Sequence, residues 1–111
     1  MEKFAVGSIV LVAFPFSNLK GKKIRPALVI AHVEFDNLIL CQITSRAYSS
    51  KTAVRIESTD FEEGGLPIVS YIRPDKMFTA ETSIIESTSG KLKNKVKSDI
   101  LQKVRALFAQ K

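Results

Sequence analysis

The stretch Lys20–Ile30, KGKKIRPALVI, runs from a cationic, glycine-containing segment straight into an apolar one. Its second half carries the aliphatic and β-branched residues of a strand. Proline is tolerated at the first residue of a strand, where no ladder hydrogen bond is needed, so the strand is expected over Pro26–Val33. The same proline biases Arg25 toward an extended backbone. The junction reads two ways from these residues: a solvated loop before a core strand, or an arginine held at the rim of a site for an anion.

Other strands surround this one. Ser8–Phe16 (SIVLVAFPF) is apolar and rich in β-branched and aromatic residues, and ends near Pro15. Ser17–Lys23 is a polar, turn-rich loop around Gly21. Asp36-Asn37 marks a turn before a third strand, Leu38–Thr44. Thr52–Ile56 reads as a fourth, Asp60–Pro67 (DFEEGGLP) as a loop, and Ile68–Ile72 as a fifth. Met77–Thr79, Ser83–Ile85 and Gly90–Leu92 read as short further pieces. The period then changes. Val96, Ile100, Val104 and Phe108 recur every four residues, which is one apolar stripe on a helix from about Asn94, its expected N-cap, to Ala109. Lys93, Lys95, Lys97, Lys103 and Arg105 fall mostly off that stripe and read as a solvated face. The whole is expected to be a mainly β, single domain over residues 1–111: a small, strongly bent barrel with one C-terminal helix.

Composition supports a packed domain, with 45% hydrophobic and 25% charged residues. No apolar run has the length of a membrane helix and no leader-peptide pattern is read at the start. The single cysteine, Cys41, lies in an apolar run and is expected to be a buried thiol in a reducing cytoplasm. The formal charge of +6 resides in residues 91–111, which hold seven basic residues and one acidic one; residues 1–90 balance at ten of each. Such a charge attracts RNA, DNA or an acidic protein alike.

Several chemistries are excluded by count. One histidine, His32, rules out a two-histidine ribonuclease mechanism, and it is expected to be structural. One cysteine and one histidine do not make an ordinary zinc site. No phosphate-binding loop or dinucleotide fingerprint occurs, and no cofactor is expected.

Three polar clusters remain, each expected at a strand edge: Ser17–Arg25 with four cations, Thr44-Ser45-Arg46, and Arg73-Pro74-Asp75-Lys76. Cleavage of RNA needs few protein groups, because the 2′-hydroxyl of the substrate is the nucleophile. The protein must align it and stabilise charge on the phosphate oxygens. Arginine suits those oxygens through its planar fork, and threonine offers a hydroxyl on a restricted χ1. Asp75 is able to orient an arginine or accept a proton. Equally, Arg25 reads as a surface cation, Thr44 as a strand-end residue and Arg73–Asp75 as a surface ion pair. The residues by themselves specify a basic β-barrel that binds something anionic.

The order of four segments adds to this. Residues 7–30 (GSIVLVAFPFSNLKGKKIRPALVI), 38–46 (LILCQITSR), 65–79 (GLPIVSYIRPDKMFT) and 90–109 (GKLKNKVKSDILQKVRALFA) together resemble the MazF/PemK family of type II toxin–antitoxin toxins, in its PemK-like branch. The resemblance implies an SH3-like barrel (the CcdB/PemK-like fold) with a C-terminal α-helix, usually a homodimer. It implies a metal-independent endoribonuclease that cuts single-stranded RNA, leaves 2′,3′-cyclic phosphate and 5′-hydroxyl ends, and is inhibited by a cognate antitoxin protein. By position, Arg25 matches the arginine acting on the scissile phosphate and Thr44 the hydroxyl residue that bonds it. Asp75 matches an acidic position used as a base or for RNA contact, and Arg73 the arginine of an Arg-x-Asp pattern found in part of the family. Ser17, Asn18, Lys20, Lys22 and Lys23 fall in the loop that helps read RNA, and Ser45 beside Thr44. Two other classes stay in view: a gyrase poison of the CcdB type, which acts through a C-terminal tryptophan end that this chain lacks, and a plain RNA-binding barrel.

Overall fold

The computed structural model describes residues 4–15, 22–46 and 51–109. Its core is one curled, antiparallel, seven-stranded sheet. In chain order the strands are β1 (Ser8–Pro15), β2 (Lys22–Val33), β3 (Asn37–Thr44), β4 (Val54–Ile56), β5 (Phe61–Gly64), β6 (Ser70–Glu81) and β7 (Ile85–Leu92). The helix α1 (Asn94–Leu107) follows. Across the sheet the order is β4-β6-β3-β2-β1-β7-β5, so β1, β2 and β3 are central and β4 and β5 are edges.

Central position explains the continuous apolar runs. Adjacent residues such as Ile9 and Val10, Leu28 and Val29, or Leu40 and Cys41 are all buried, because both faces of these strands are covered. On one face, Ile9, Leu28, Cys41, Ile72 and Leu92 pack with Ile100 and Val104 of the helix. On the other, Val10, Val12, Ala27, Val29 and Leu40 form a second layer with Phe4 and Ala80. Burying a side chain such as Ile100 contributes about 1.5–3 kcal/mol.

The structure corrects several expectations. β2 begins at Lys22, four residues before Pro26, because Lys22–Arg25 pair with Pro15–Val12 of β1. Pro26 therefore sits inside the strand, and its effect is on the other neighbour. The β2–β3 ladder ends at Ala27↔Gln42, and Pro26 has no N–H with which to extend it. The segment read as a loop contains β5, which pairs with β7 through Phe61↔Leu92 and Gly64↔Gly90. Of the pieces read at Ile68–Ile72 and Met77–Thr79, Ser70–Ile72 and Met77–Thr79 belong to the single strand β6, Ile68 and Val69 precede it, and Ser83 lies in a short 3-10 turn before β7. Within β6 the pairing jumps from Cys41↔Met77 to Gln42↔Arg73. Pro74, Asp75 and Lys76 thus form a bulge in the middle of a strand rather than a strand end, as a proline in a ladder requires.

The helix also departs in two details. Its N-cap is Lys93, with no side-chain cap, because Leu92 is still paired in the sheet and the Lys93 N–H donates to Asp60 O at 2.9 Å. Sheet pairing sets where the helix starts and overrides the preference of Asn94 for the cap. At the other end Phe108 is the C-cap and is 73% exposed, so the buried stripe stops at Val104. Lys93, Lys95, Lys103 and Arg105 are exposed, as expected of a solvated face.

Candidate functional site

Side chains alternate across a strand, so register decides which polar residues share a face. Val12 lies in the second apolar layer and pairs with Arg25, which places Arg25 on that same face as Ala27 and Val29. Thr44 and Gln42 alternate with Leu40 of β3, again on that face. Arg25 and Thr44 each lie two residues beyond Ala27↔Gln42, where the ladder ends. They stand just past the end of that ladder, where Pro26 offers no N–H to continue the pairing. The apolar layer thus gives way at this end to an arginine and a hydroxyl from two separate strands, with Arg25 exposed and Thr44 half-buried.

Local hydrogen bonding prepares both partners. The Arg46 backbone N–H donates to Thr44 Oγ1 at 3.1 Å. The hydroxyl oxygen is thereby oriented and its own O–H hydrogen remains to be donated to a ligand oxygen. Arg25 is held extended by pairing with Val12 and by the proline that follows.

Arg73 stands opposite Gln42, in the row next to Thr44 and on the same face. Its Nη2 donates to Asp75 Oδ2 at 3.1 Å, with the two side chains 28% and 37% exposed. Thr52 Oγ1 donates to Asp75 Oδ1 at 3.4 Å. Both carboxylate oxygens are therefore engaged, and the bulge around Pro74 is what brings Asp75 to this position. The carboxylate is placed to orient Arg73. Burial, and then the charge of Asp75, push the Cys41 thiol up to about 12, so it stays protonated at neutral pH. His32 stands opposite Leu38 and its Nε2–H donates to the Phe4 carbonyl, in the second layer, whereas Cys41 lies in the first. The two do not form a nucleophile–base pair.

The other sequence-derived candidates divide. Lys23 is exposed, pairs with Phe14 and shares the face of Arg25. Ser45 is exposed just past β3. Lys22 lies in β2 opposite Pro15. Ser17, Asn18 and Lys20 lie outside the described residues. Gln42, Tyr71 and Arg55 also belong to this polar face and are not singled out by motif. Alternation with Thr44 and Arg73 hints at the first two, but Arg55 enters only because β4 pairs with β6. No group of three or more His, Cys, Asp or Glu suited to a metal ion occurs among the described residues. None of their helices is long and apolar enough to cross a membrane.

Searching curated protein sequences gives no match. Solved structures do match in fold. MazE–MazF from Deinococcus radiodurans aligns with a TM-score of 0.76 at 19% identity, covering 100% of each chain. The Mycobacterium tuberculosis toxin MazF-mt6 aligns at 0.72 with 16% identity, over 94% of this chain and 98% of the other. An endoribonuclease in complex with its cognate antitoxin, from a mycobacterial species, aligns at 0.73 with 12% identity, over 95% and 94%. The sequence profile of the PemK-like, MazF-like toxins matches residues 5–108. With nearly the whole chain matched and the predicted bent sheet and closing helix in place, the protein belongs to the PemK-like, MazF-like toxin family of type II toxin–antitoxin systems.

Proposed function

We propose that the protein is a sequence-specific endoribonuclease toxin that cuts single-stranded RNA, without a metal ion, to leave 2′,3′-cyclic phosphate and 5′-hydroxyl ends. The observation that carries this reading is the pair Arg25 and Thr44, on one face, just past the point where Pro26 ends the β2–β3 ladder. In the reaction the 2′-oxygen bonds to phosphorus and the bond from phosphorus to O5′ breaks. One proton leaves the 2′-hydroxyl and one reaches O5′, both exchanged with water at this open face. Arg25 holds the equatorial oxygens through two parallel N–H donors as charge accumulates on them. Thr44 donates its hydroxyl hydrogen to one of the same two non-bridging oxygens, each of which has lone pairs for a second donor. Arg73, oriented by Asp75, adds positive potential one row away, and Lys23 draws the RNA toward the face. The toxin acts in the cytoplasm as a homodimer and is neutralised by a cognate antitoxin that covers this face. The fold-level likeness to MazE–MazF and to an endoribonuclease–antitoxin complex supports that partner.

Incubating the purified protein with a long RNA in EDTA tests the activity. Discrete fragments with cyclic-phosphate ends are expected. Intact RNA with inhibited gyrase supercoiling would point to a poison of the CcdB type, and neither effect to a binding barrel. A Thr44→Val variant is expected to separate chemistry from binding. Its cleavage rate at saturating RNA falls by on the order of a hundredfold, with little change in RNA affinity, because the hydroxyl bond strengthens as the phosphate gains charge. Equal losses in rate and affinity would reduce Thr44 to a binding contact.

A further inference from the structure

On the reading that Arg25 and Thr44 engage the scissile phosphate, the sheet continues the same face toward its β4 edge. Thr44 pairs with Tyr71 of β6, and Tyr71 pairs with Arg55 of β4. Directly paired residues project to the same side of a sheet. Beginning at Arg25, the row therefore reads arginine, threonine, tyrosine, arginine across four adjacent strands. With about 4.8 Å between paired strands, Arg55 stands roughly 10 Å from Thr44, and Arg25 lies one strand further on, past the end of the β2–β3 ladder, so the row spans at least about two extended nucleotide steps. Arg55 is exposed and Tyr71 half-buried, so the row is open at its far end.

We infer that Arg55 binds the RNA phosphate two linkages from the scissile one, and that Tyr71 receives one of the two intervening nucleotides against its ring. The substrate strand then crosses the sheet at right angles to the β-strands. A tyrosine ring is a sequence-tolerant stacking platform, and a guanidinium on an edge strand approaches a phosphate without crowding by a further strand. Arg55 Nη1 donates to Glu57 Oε2 at 3.2 Å, with the two side chains 54% and 46% exposed. A pair that open to water is weak enough for phosphate to displace. Glu57 lies two residues along the same strand line and so competes with RNA for Arg55. The main chain of Glu57 is tied to Asp60 independently of its carboxylate: its N–H donates to Asp60 Oδ2 and its carbonyl accepts from the Asp60 N–H, both at 2.9 Å, so glutamine at this position leaves those bonds in place.

The experiment first maps the cleavage site from the wild-type digest. It then uses an RNA oligonucleotide centred on that site, with a 2′-deoxy nucleotide blocking cleavage, in anisotropy titrations over a salt series. Arg55→Ala is expected to weaken binding about tenfold and to lower the slope of log affinity against log salt by about 0.7, one phosphate contact on a single strand. In cleavage assays KM rises by more than kcat falls. Arg55→Lys restores the salt slope and part of the affinity. Glu57→Gln tightens binding, an effect that a merely structural ion pair would not produce. A methylphosphonate two linkages from the cleavage site weakens binding to the wild type and does not further weaken binding to Arg55→Ala. Unchanged affinity and salt slope in Arg55→Ala, in a protein that still cuts RNA and loses cutting on Arg25→Ala, would overturn this inference and leave the ribonuclease standing. A wild-type protein that never cuts RNA would remove both.

Discussion

Arg25→Ala is expected to lower kcat/KM for RNA cleavage by on the order of a hundredfold to a thousandfold, and to abolish growth arrest on expression. The size follows from what the guanidinium does. It offers two donors in a fixed plane to oxygens whose charge rises in the transition state, so its loss is felt in the barrier more than in binding. The position is prepared before substrate arrives: Arg25 is paired with Val12, and its backbone is confined by Pro26. The backbone at this position therefore has little freedom left to lose when phosphate binds. Because the side chain is exposed, its removal leaves no cavity, and the thermal midpoint should stay near that of the wild type. Arg25→Lys should fall between, since an ammonium keeps the charge and loses the bidentate geometry. Measured rates, melting and oligomeric state together check this. Near wild-type cleavage by a folded Arg25→Ala protein would take the arginine out of the mechanism.

Gly64→Ala is expected to produce the largest loss of stability in the molecule for a change of one methyl group. Gly64 has φ +66°, a region where a Cβ is strained. A Cβ there would also lie 2.2 Å from the Ser89 carbonyl oxygen and 2.7 Å from the Gly90 Cα. Both are backbone atoms of the paired strand, so neither moves aside cheaply. The contact is close because Gly64 and Gly90 face one another in the β5–β7 ladder. Flanking bonds hold them there: Gly65 N–H to Ser89 O at 3.1 Å and Ser89 Oγ–H to Gly65 O at 2.6 Å. Forcing the strands apart releases Phe61 from the helix-side core. A cost of about 3 kcal/mol or more is expected, lowering the thermal midpoint by more than about 10 °C. Gly65→Ala supplies the control. A Cβ there meets only Phe61 Cδ1, at 4.0 Å, and its effect should be within about 1 kcal/mol. Equal midpoints for the two variants would show that the β5–β7 approach has room for a methyl group.

These glycines also mark where sequence reading stopped short. A Gly-Gly-Leu-Pro run carries turn chemistry, and nothing local indicates that Gly64 ends a strand. It does so because Gly90, far along the chain, lets two backbones approach. Pro74 misled in the same manner. A proline ordinarily terminates a strand, yet β6 continues through it by bulging, since the residues on either side keep their partners in β3. Pro26 reads locally as the first residue of a strand, yet it lies inside β2, and which neighbour it deprives of a hydrogen bond follows only from pairing with β1 on one side and β3 on the other.

Local chemistry was sufficient to mark the apolar central strands, the change of period into a C-terminal helix, and Arg25, Thr44, Arg73 and Asp75 as groups of interest. Those signals travel through neighbours a few residues away: alternation, a four-residue stripe, a cation beside a proline. That Arg25, Thr44, Tyr71 and Arg55 share one face, that a bulge in β6 carries Asp75 to Thr52 as well as to Arg73, and that Lys93 rather than Asn94 starts the helix belong to the assembled sheet. Register across strands depends on contacts between distant segments, and with a side-chain period of two, a slip of one residue would turn every one of those groups to the opposite side.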